Sequence, residues 1–118
     1  MPDRKTFPRQ ARLTGKKDFD RVFRDGRKMV GYAFVCYAVR REGQQCRLGV
    51  AVSRRVGRAV VRNKIKRRIR EYFRTHAPEF AAAMDLVVVA RPSAAALEYA
   101  QSVDVLDRIL RKGGLVRE

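Results

Sequence analysis

The stretch "RNKIKRRIRE", residues 62–71, carries six Lys or Arg in ten positions, with isoleucine at 65 and 69. Side chains of this kind do one thing well: they bind phosphate oxygens. Arg62, Lys66, Arg70 and Arg74 recur at i, i+4, with Asn63 and Arg67 beside them. Like charges at that spacing destabilise an isolated helix by a few tenths of a kcal/mol per pair. A helix built only for solubility mixes in Glu, and here only Glu71 interrupts. A second set of residues is aromatic. Phe19, Phe23 and Tyr37 are candidate stacking platforms for unpaired bases, at ~1–3 kcal/mol per base. For Phe19 and Phe23, ordinary core packing competes with that role.

Chemistry of other kinds is missing. The chain has no Gly-rich phosphate loop, no HExxH and no GxSxG. His76 is the only histidine, which limits nucleophile–base pairs, and it reads as a surface residue near a helix end. Asp18, Asp20 and Asp25 cluster on a short basic segment, where they balance charge. Two-metal phosphoryl chemistry needs several convergent carboxylates, and the others are scattered. Cys36 and Cys46 are ten apart with no CxxC, so a reduced, buried pair is expected rather than a disulfide or metal site.

These residues need elements to hold them. Residues 1–12 are basic, contain Pro2 and Pro8, and read as an extended or mobile arm. "LTGKKDFDRVFRDG" reads as a short helix, with Thr14 as its cap, Asp18 in the first turn and Gly26 at its close. Phe19, Val22 and Phe23 share one face at i, i+3, i+4. "YAFVCYAV" (32–39) and "CRLGVAVS" (46–53), joined by "RREGQQ", predict an antiparallel hairpin. In the second strand Leu48, Val50 and Val52 share one face, and Gly49, Ala51 and Ser53 share the other. Those small residues leave a trough, to be filled either by another element or by a ligand, and Tyr37 is positioned to face it.

"RRVGRAVVRNKIKRRIREYFRTHAP" follows, and Val61, Ile65, Ile69, Tyr72 and Phe73 keep helical spacing over about a third of the circumference. "MDLVVVAR" (84–91) is a continuous apolar strand of the type buried on both faces. "SAAALEYAQSVDVLDRILRKGG" predicts a last helix with Leu97, Ala100, Val103, Leu106 and Leu110 inward and Gly113 at its end. The order is helix, two or three strands, basic helix, strand, helix. That is an α+β fold, a single-domain two-layer sandwich with one small sheet.

Composition bounds the function. The 118 residues suit a single domain spanning 1–118. The formal charge is +16, from 28 basic and 12 acidic residues. Self-repulsion at that charge calls for a polyanionic partner, nucleic acid first and an anionic membrane surface second. No apolar run approaches the ~18 residues of a spanning helix, and "MPDRKTFPRQ" lacks the apolar core of a signal peptide. A soluble cytoplasmic protein is expected.

One stretch reaches further. "VSRRVGRAVVRNKIKRRIRE" resembles the signature of the bacterial ribonuclease P protein subunit: a strand ending in Ser and two basic residues, a Gly, an Ala, then an Arg-Asn-Arg-type motif on a basic helix. "DFDRVFRDG" upstream and "DLVVVAR" downstream match in order and spacing, so the resemblance covers nearly the whole chain. Lys64 stands where the motif has its second Arg, which keeps the charge but not the planar fork.

The resemblance implies a partner RNA that holds Mg²⁺ and hydrolyses the 5′ leader from precursor tRNA. It implies that Arg62, Asn63, Lys64, Lys66, Arg67 and Arg70 face that RNA. It implies that Phe19, Phe23 and Tyr37 line a cleft for the single-stranded leader, with Arg54 and Arg55 nearby. It also implies a mixed sheet with a left-handed crossover, no metal held by the protein alone, and no obligate protein partner. The alternatives are another structured-RNA binder such as a ribosomal protein, a membrane-surface or DNA-binding module, and a stand-alone nuclease.

Overall fold

The computed structural model describes residues 11–116. The chain runs α1 (Lys16–Asp25), β1 (Arg27–Val30), β2 (Phe34–Arg40), β3 (Arg47–Val52), α2 (Ala59–His76), β4 (Met84–Ala90) and α3 (Tyr99–Lys112). The four strands form one mixed sheet in the order β1-β2-β4-β3. β1–β2 and β2–β4 pair antiparallel, while β3–β4 pair parallel across the crossover through α2.

This order corrects the expected hairpin. β2 and β3 do not pair; β4 lies between them, with Tyr37 and Gly49 both opposite Val87. The reason lies in β4 itself. Met84, Leu86, Val88 and Ala90 point to one apolar cluster and Val87 to another, with Val89 packed beside it. A strand apolar on both faces belongs at a sheet centre, and β2 takes the short strand β1 on its outer side instead.

The main layer partners of the sheet are α2 and α3. Ile65, Ile69, Tyr72 and Phe73 of α2 are buried, as their spacing predicts, with Val61 packed at the edge. The Tyr72 hydroxyl donates to Asp107 Oδ1 at 3.0 Å and so joins α2 to α3. Burial, with the Asp107 charge and hydrogen bond, holds the Tyr72 phenol well above its ordinary value. α3 departs from its expected face: Leu97 precedes the helix, Ala100 is exposed, and Ile109 joins Leu106 and Leu110 inward. The helix starts late because a 3-10 turn at Pro92–Ala96 comes first, and Glu98 and Gln101 then form a capping box.

α1 lies on the other face of the sheet, where Val22 is fully buried with Leu13 and Val87. Gly15, not Thr14, occupies its N-cap, without a side-chain cap bond. The expected arm reaches residue 12, but Ala11 is buried and Arg12 bridges Leu48 in the sheet; the rest of the arm lies outside the described residues. Both cysteines are free. Cys36 is buried, and burial pushes its thiol up to about 12, while Cys46 is half-buried. No helix among the described residues is long and apolar enough to cross a membrane.

Candidate nucleic-acid interface

Side chains alternate across a strand, so the register sorts the face under α1 into rungs. One rung runs Lys28, Tyr37, Val87, Gly49, and the next runs Val30, Val35, Val89, Ala51. α1 crosses the first of these. A Cβ placed on Gly49 would sit 2.6 Å from Phe19 Cζ, so the expected trough exists and Phe19 enters it. Phe23 meets Phe19 with ring centroids 6.2 Å apart and meets Tyr37 edge-on at 4.9 Å. Phe23 remains 40% exposed, and Phe19 and Tyr37 are half-buried. Three aromatic residues thus gather on one side of the sheet, beside a rung that is aliphatic. Of the two phenylalanines, Phe19 packs against the sheet and Phe23 presents a ring to solvent.

Arg54 and Arg55 are exposed in a 3-10 turn, Arg54–Val56, immediately beyond β3. This turn leads into α2, which places these cations between the aromatic cleft and the basic helix. On α2 itself, Asn63, Lys64 and Arg67 are exposed, whereas Arg62, Lys66 and Arg70 are half-buried. Arg62 Nη1 donates to Gly57 O at 3.0 Å and braces the helix entry. Burial lowers the Arg70 guanidinium pKa, and the nearby charge of Arg12 adds to this. Arg70 thus lies nearer the packed side of α2 than the exposed Arg67. Arg74 leaves the stripe by pairing with Glu71. Arg68 donates to Leu97 O at 2.6 Å and tethers α2 to the segment before α3.

The sequence reading missed one group altogether. Asp85 is fully buried in β4 and meets three arginines. Arg47 Nε and Nη2 donate to its two oxygens at 2.9 and 2.8 Å. Arg21 of α1 donates to Oδ2, and Arg41 Nε lies 3.7 Å from Oδ1. Burial pushes the Asp85 carboxyl up, but the bonds from Arg47 and Arg21 and the fields of Arg47 and Arg41 outweigh it and hold the pKa below the ordinary value. The signal was present in "MDLVVVA": an aspartate inside a doubly buried strand requires a cationic partner. Of the three acidic residues of α1, Asp20 pairs with Lys16 and Asp25 with Arg24. Among the described residues, no three of His, Cys, Asp and Glu converge as metal ligands do.

Comparison with known proteins agrees with this arrangement. Residues 7–114 match the family model described as Ribonuclease P. The ribonuclease P protein component of Dictyoglomus thermophilum is 35% identical over 116 residues, covering 96% of either chain. That of Desulfovibrio desulfuricans is 39% identical over 110 residues, covering 90% of this chain and 85% of its own. The ribonuclease P protein of Staphylococcus aureus superposes with a TM-score of 0.85 at 34% identity, covering 91% of this chain and 98% of its own. The Thermotoga maritima protein does so at 0.78 and 28% identity, covering 86% and 96%. These matches favour this family over a ribosomal protein. The chain belongs to the ribonuclease P protein family, the protein component of that endoribonuclease.

Proposed function

We propose that the two faces of the sheet divide the work of a ribonuclease P holoenzyme. The outer surface of α2, with Arg62, Asn63, Lys64, Lys66, Arg67 and Arg70, docks on the catalytic RNA. The cleft of Phe19, Phe23 and Tyr37 receives the single-stranded 5′ leader of precursor tRNA, with Arg54 and Arg55 at its end. The observation that carries this reading is the contact between Phe23 and Tyr37 beside the glycine-made hollow, on the face away from α2. A half-exposed aromatic cluster suits unpaired bases, since every base has a face to stack. A duplex offers no such faces.

Among the described residues no carboxylates converge to hold Mg²⁺. Asp85, the buried carboxylate, is committed to three arginines. The metal and the hydrolysis are therefore assigned to the RNA, and the protein contributes binding and placement. The chain acts as one RNA-binding domain, in the cytoplasm, without an obligate protein partner. Reconstitution tests this. Purified protein with Mg²⁺ leaves precursor tRNA intact, and addition of a bacterial ribonuclease P RNA gives leader removal with tighter precursor binding than the RNA achieves alone. Metal-dependent cleavage that co-purifies with the protein, and is lost when one of its carboxylates is replaced, overturns the assignment.

A further inference from the structure

Resting on the leader reading above, we infer that Arg21, Arg41 and Arg47, gathered by Asp85, form a phosphate subsite for the far end of the leader. The cluster lies on the cleft face of the sheet. Arg47 and Asp85 are register partners one rung from the Tyr37–Val87–Gly49 rung, and Arg21 comes from α1 two residues before Phe23. A rung is two residues, or about 7 Å along a strand.

Charge is the second observation. One carboxylate is neutralised by one guanidinium, yet three surround Asp85. In a chain of formal charge +16, surplus buried cations add to self-repulsion. The neighbouring acids do not absorb the surplus. Asp20 and Asp25 are paired with Lys16 and Arg24, and Asp25 reaches Arg21, and Asp18 Arg47, only as a field. Accessibility is the third. The side chains of Arg21, Arg41 and Arg47 are 34%, 28% and 25% exposed, while Asp85 is sealed. A guanidinium has five N–H donors, and Arg47 turns two of them on Asp85. The carboxylate holds Arg21 and Arg47 by hydrogen bonds and Arg41 by charge at 3.7 Å, while Arg41 Nη1 donates to Gln45 O at 3.2 Å; the donors left over on the three forks suit the paired oxygens of a phosphodiester.

Position sets the order along the leader. Arg54 and Arg55 adjoin α2, the surface assigned to the catalytic RNA, so that end of the cleft is nearer the cleavage point. Arg47 lies six residues back along β3 from Ser53, about 20 Å away. Only a leader of several nucleotides reaches it, and the contact is with backbone, independent of sequence.

The test uses the reconstituted holoenzyme and precursor tRNAs with leaders of one and about ten nucleotides. In the Arg21→Gln, Arg41→Gln double variant, the ratio of long-leader to short-leader affinity falls roughly three- to tenfold, the worth of a lost charge-assisted contact. The log–log salt slope for the long leader becomes shallower by about 0.7 per phosphate lost, which a merely structural role does not produce. Both substitutions leave the Arg47 chelate on Asp85. Should melting show the double variant unfolded, Arg41→Gln alone carries the test. Equal loss with both leaders, or an unchanged ratio and slope, overturns the subsite. Tyr37→Ala in parallel separates the two ideas: if it lowers the ratio while the arginine variants do not, only the subsite falls. If Tyr37→Ala leaves the ratio unchanged too, the leader reading falls with it.

Discussion

The ring of Phe23 meets the ring of Tyr37 edge to face, with centroids 4.9 Å apart and planes at 87°. One ring belongs to α1 and the other to β2, so the contact fixes the helix against the strand at the mouth of the cleft. It also leaves a Tyr37 substitution more readable than a phenylalanine one, since Phe→Ala in a core costs ~3–5 kcal/mol.

Tyr37→Ala is expected to lower holoenzyme affinity for precursor tRNA, with little change for mature tRNA or for assembly with the RNA subunit. One lost stack is worth ~1–3 kcal/mol. The measurement is the precursor-to-mature affinity ratio after a melt confirms folding. An unchanged ratio with impaired assembly places Tyr37 in the core or the RNA interface instead.

On α2, Arg67→Ala is expected to weaken binding to the catalytic RNA while leaving thermal stability nearly unchanged, because Arg67 is exposed. Ile65→Ala and Ile69→Ala are expected to cost ~2–5 kcal/mol of stability each, being 3% and 1% exposed. Arg70→Ala mixes the two effects, since Arg70 is half-buried. Should the Arg67 variant melt lower than the isoleucine variants, the division of the helix into two faces is wrong.

Binding to the catalytic RNA is expected to fall steeply with salt. With about five phosphates neutralised, the log–log slope is about −3.5 to −4.5. A titration of affinity against salt concentration gives the slope directly, and a flat response would mean that the charge of α2 is only solvated surface.

The Asp85 cluster makes a pH prediction. Its folded carboxyl pKa is lowered, chiefly because the arginine bonds outweigh burial. A depressed acid stabilises the fold above its unfolded pKa, ~3.9 for Asp, and that stability is lost as pH falls through the folded value. Asp85→Asn is therefore expected to cost several kcal/mol near neutral pH, in the ~3–5 kcal/mol range of a broken buried pair. The gap from the parent narrows as pH drops below ~4. Denaturant melts of both proteins across acid pH read this, and a gap constant with pH removes the ion cluster as its cause.

Local pattern carried the sequence reading wherever one element decided the outcome. The buried stripe Ile65, Ile69, Tyr72, Phe73 was legible from spacing, and the shared face of Phe19 and Phe23 from spacing and type. Pairing was not. Residues 32–39 and 46–53 look like a hairpin because neither knows of a strand more than thirty residues on, and Val87 takes the place between Tyr37 and Gly49. The Asp85 cluster escaped for the same reason. Its arginines come from α1, from the end of β2 and from β3, so no window of sequence contains it. The field of Arg12 on Arg70 was equally out of reach, because Arg12 arrives from the N-terminal segment.

The central place of β4 also sets an order of events. During synthesis α2 is complete before any residue of β4 has left the ribosome, and β2 and β3 then share no ladder. The apolar stripe of α2 has no finished sheet to cover, and the ladders that β4 makes with β2 and β3 each close a long loop of chain, the kind that forms slowly. Truncation before Met84 would therefore abolish the leader cleft and the seat of the basic helix together, leaving a cationic, half-paired chain whose exposed strand edges invite aggregation.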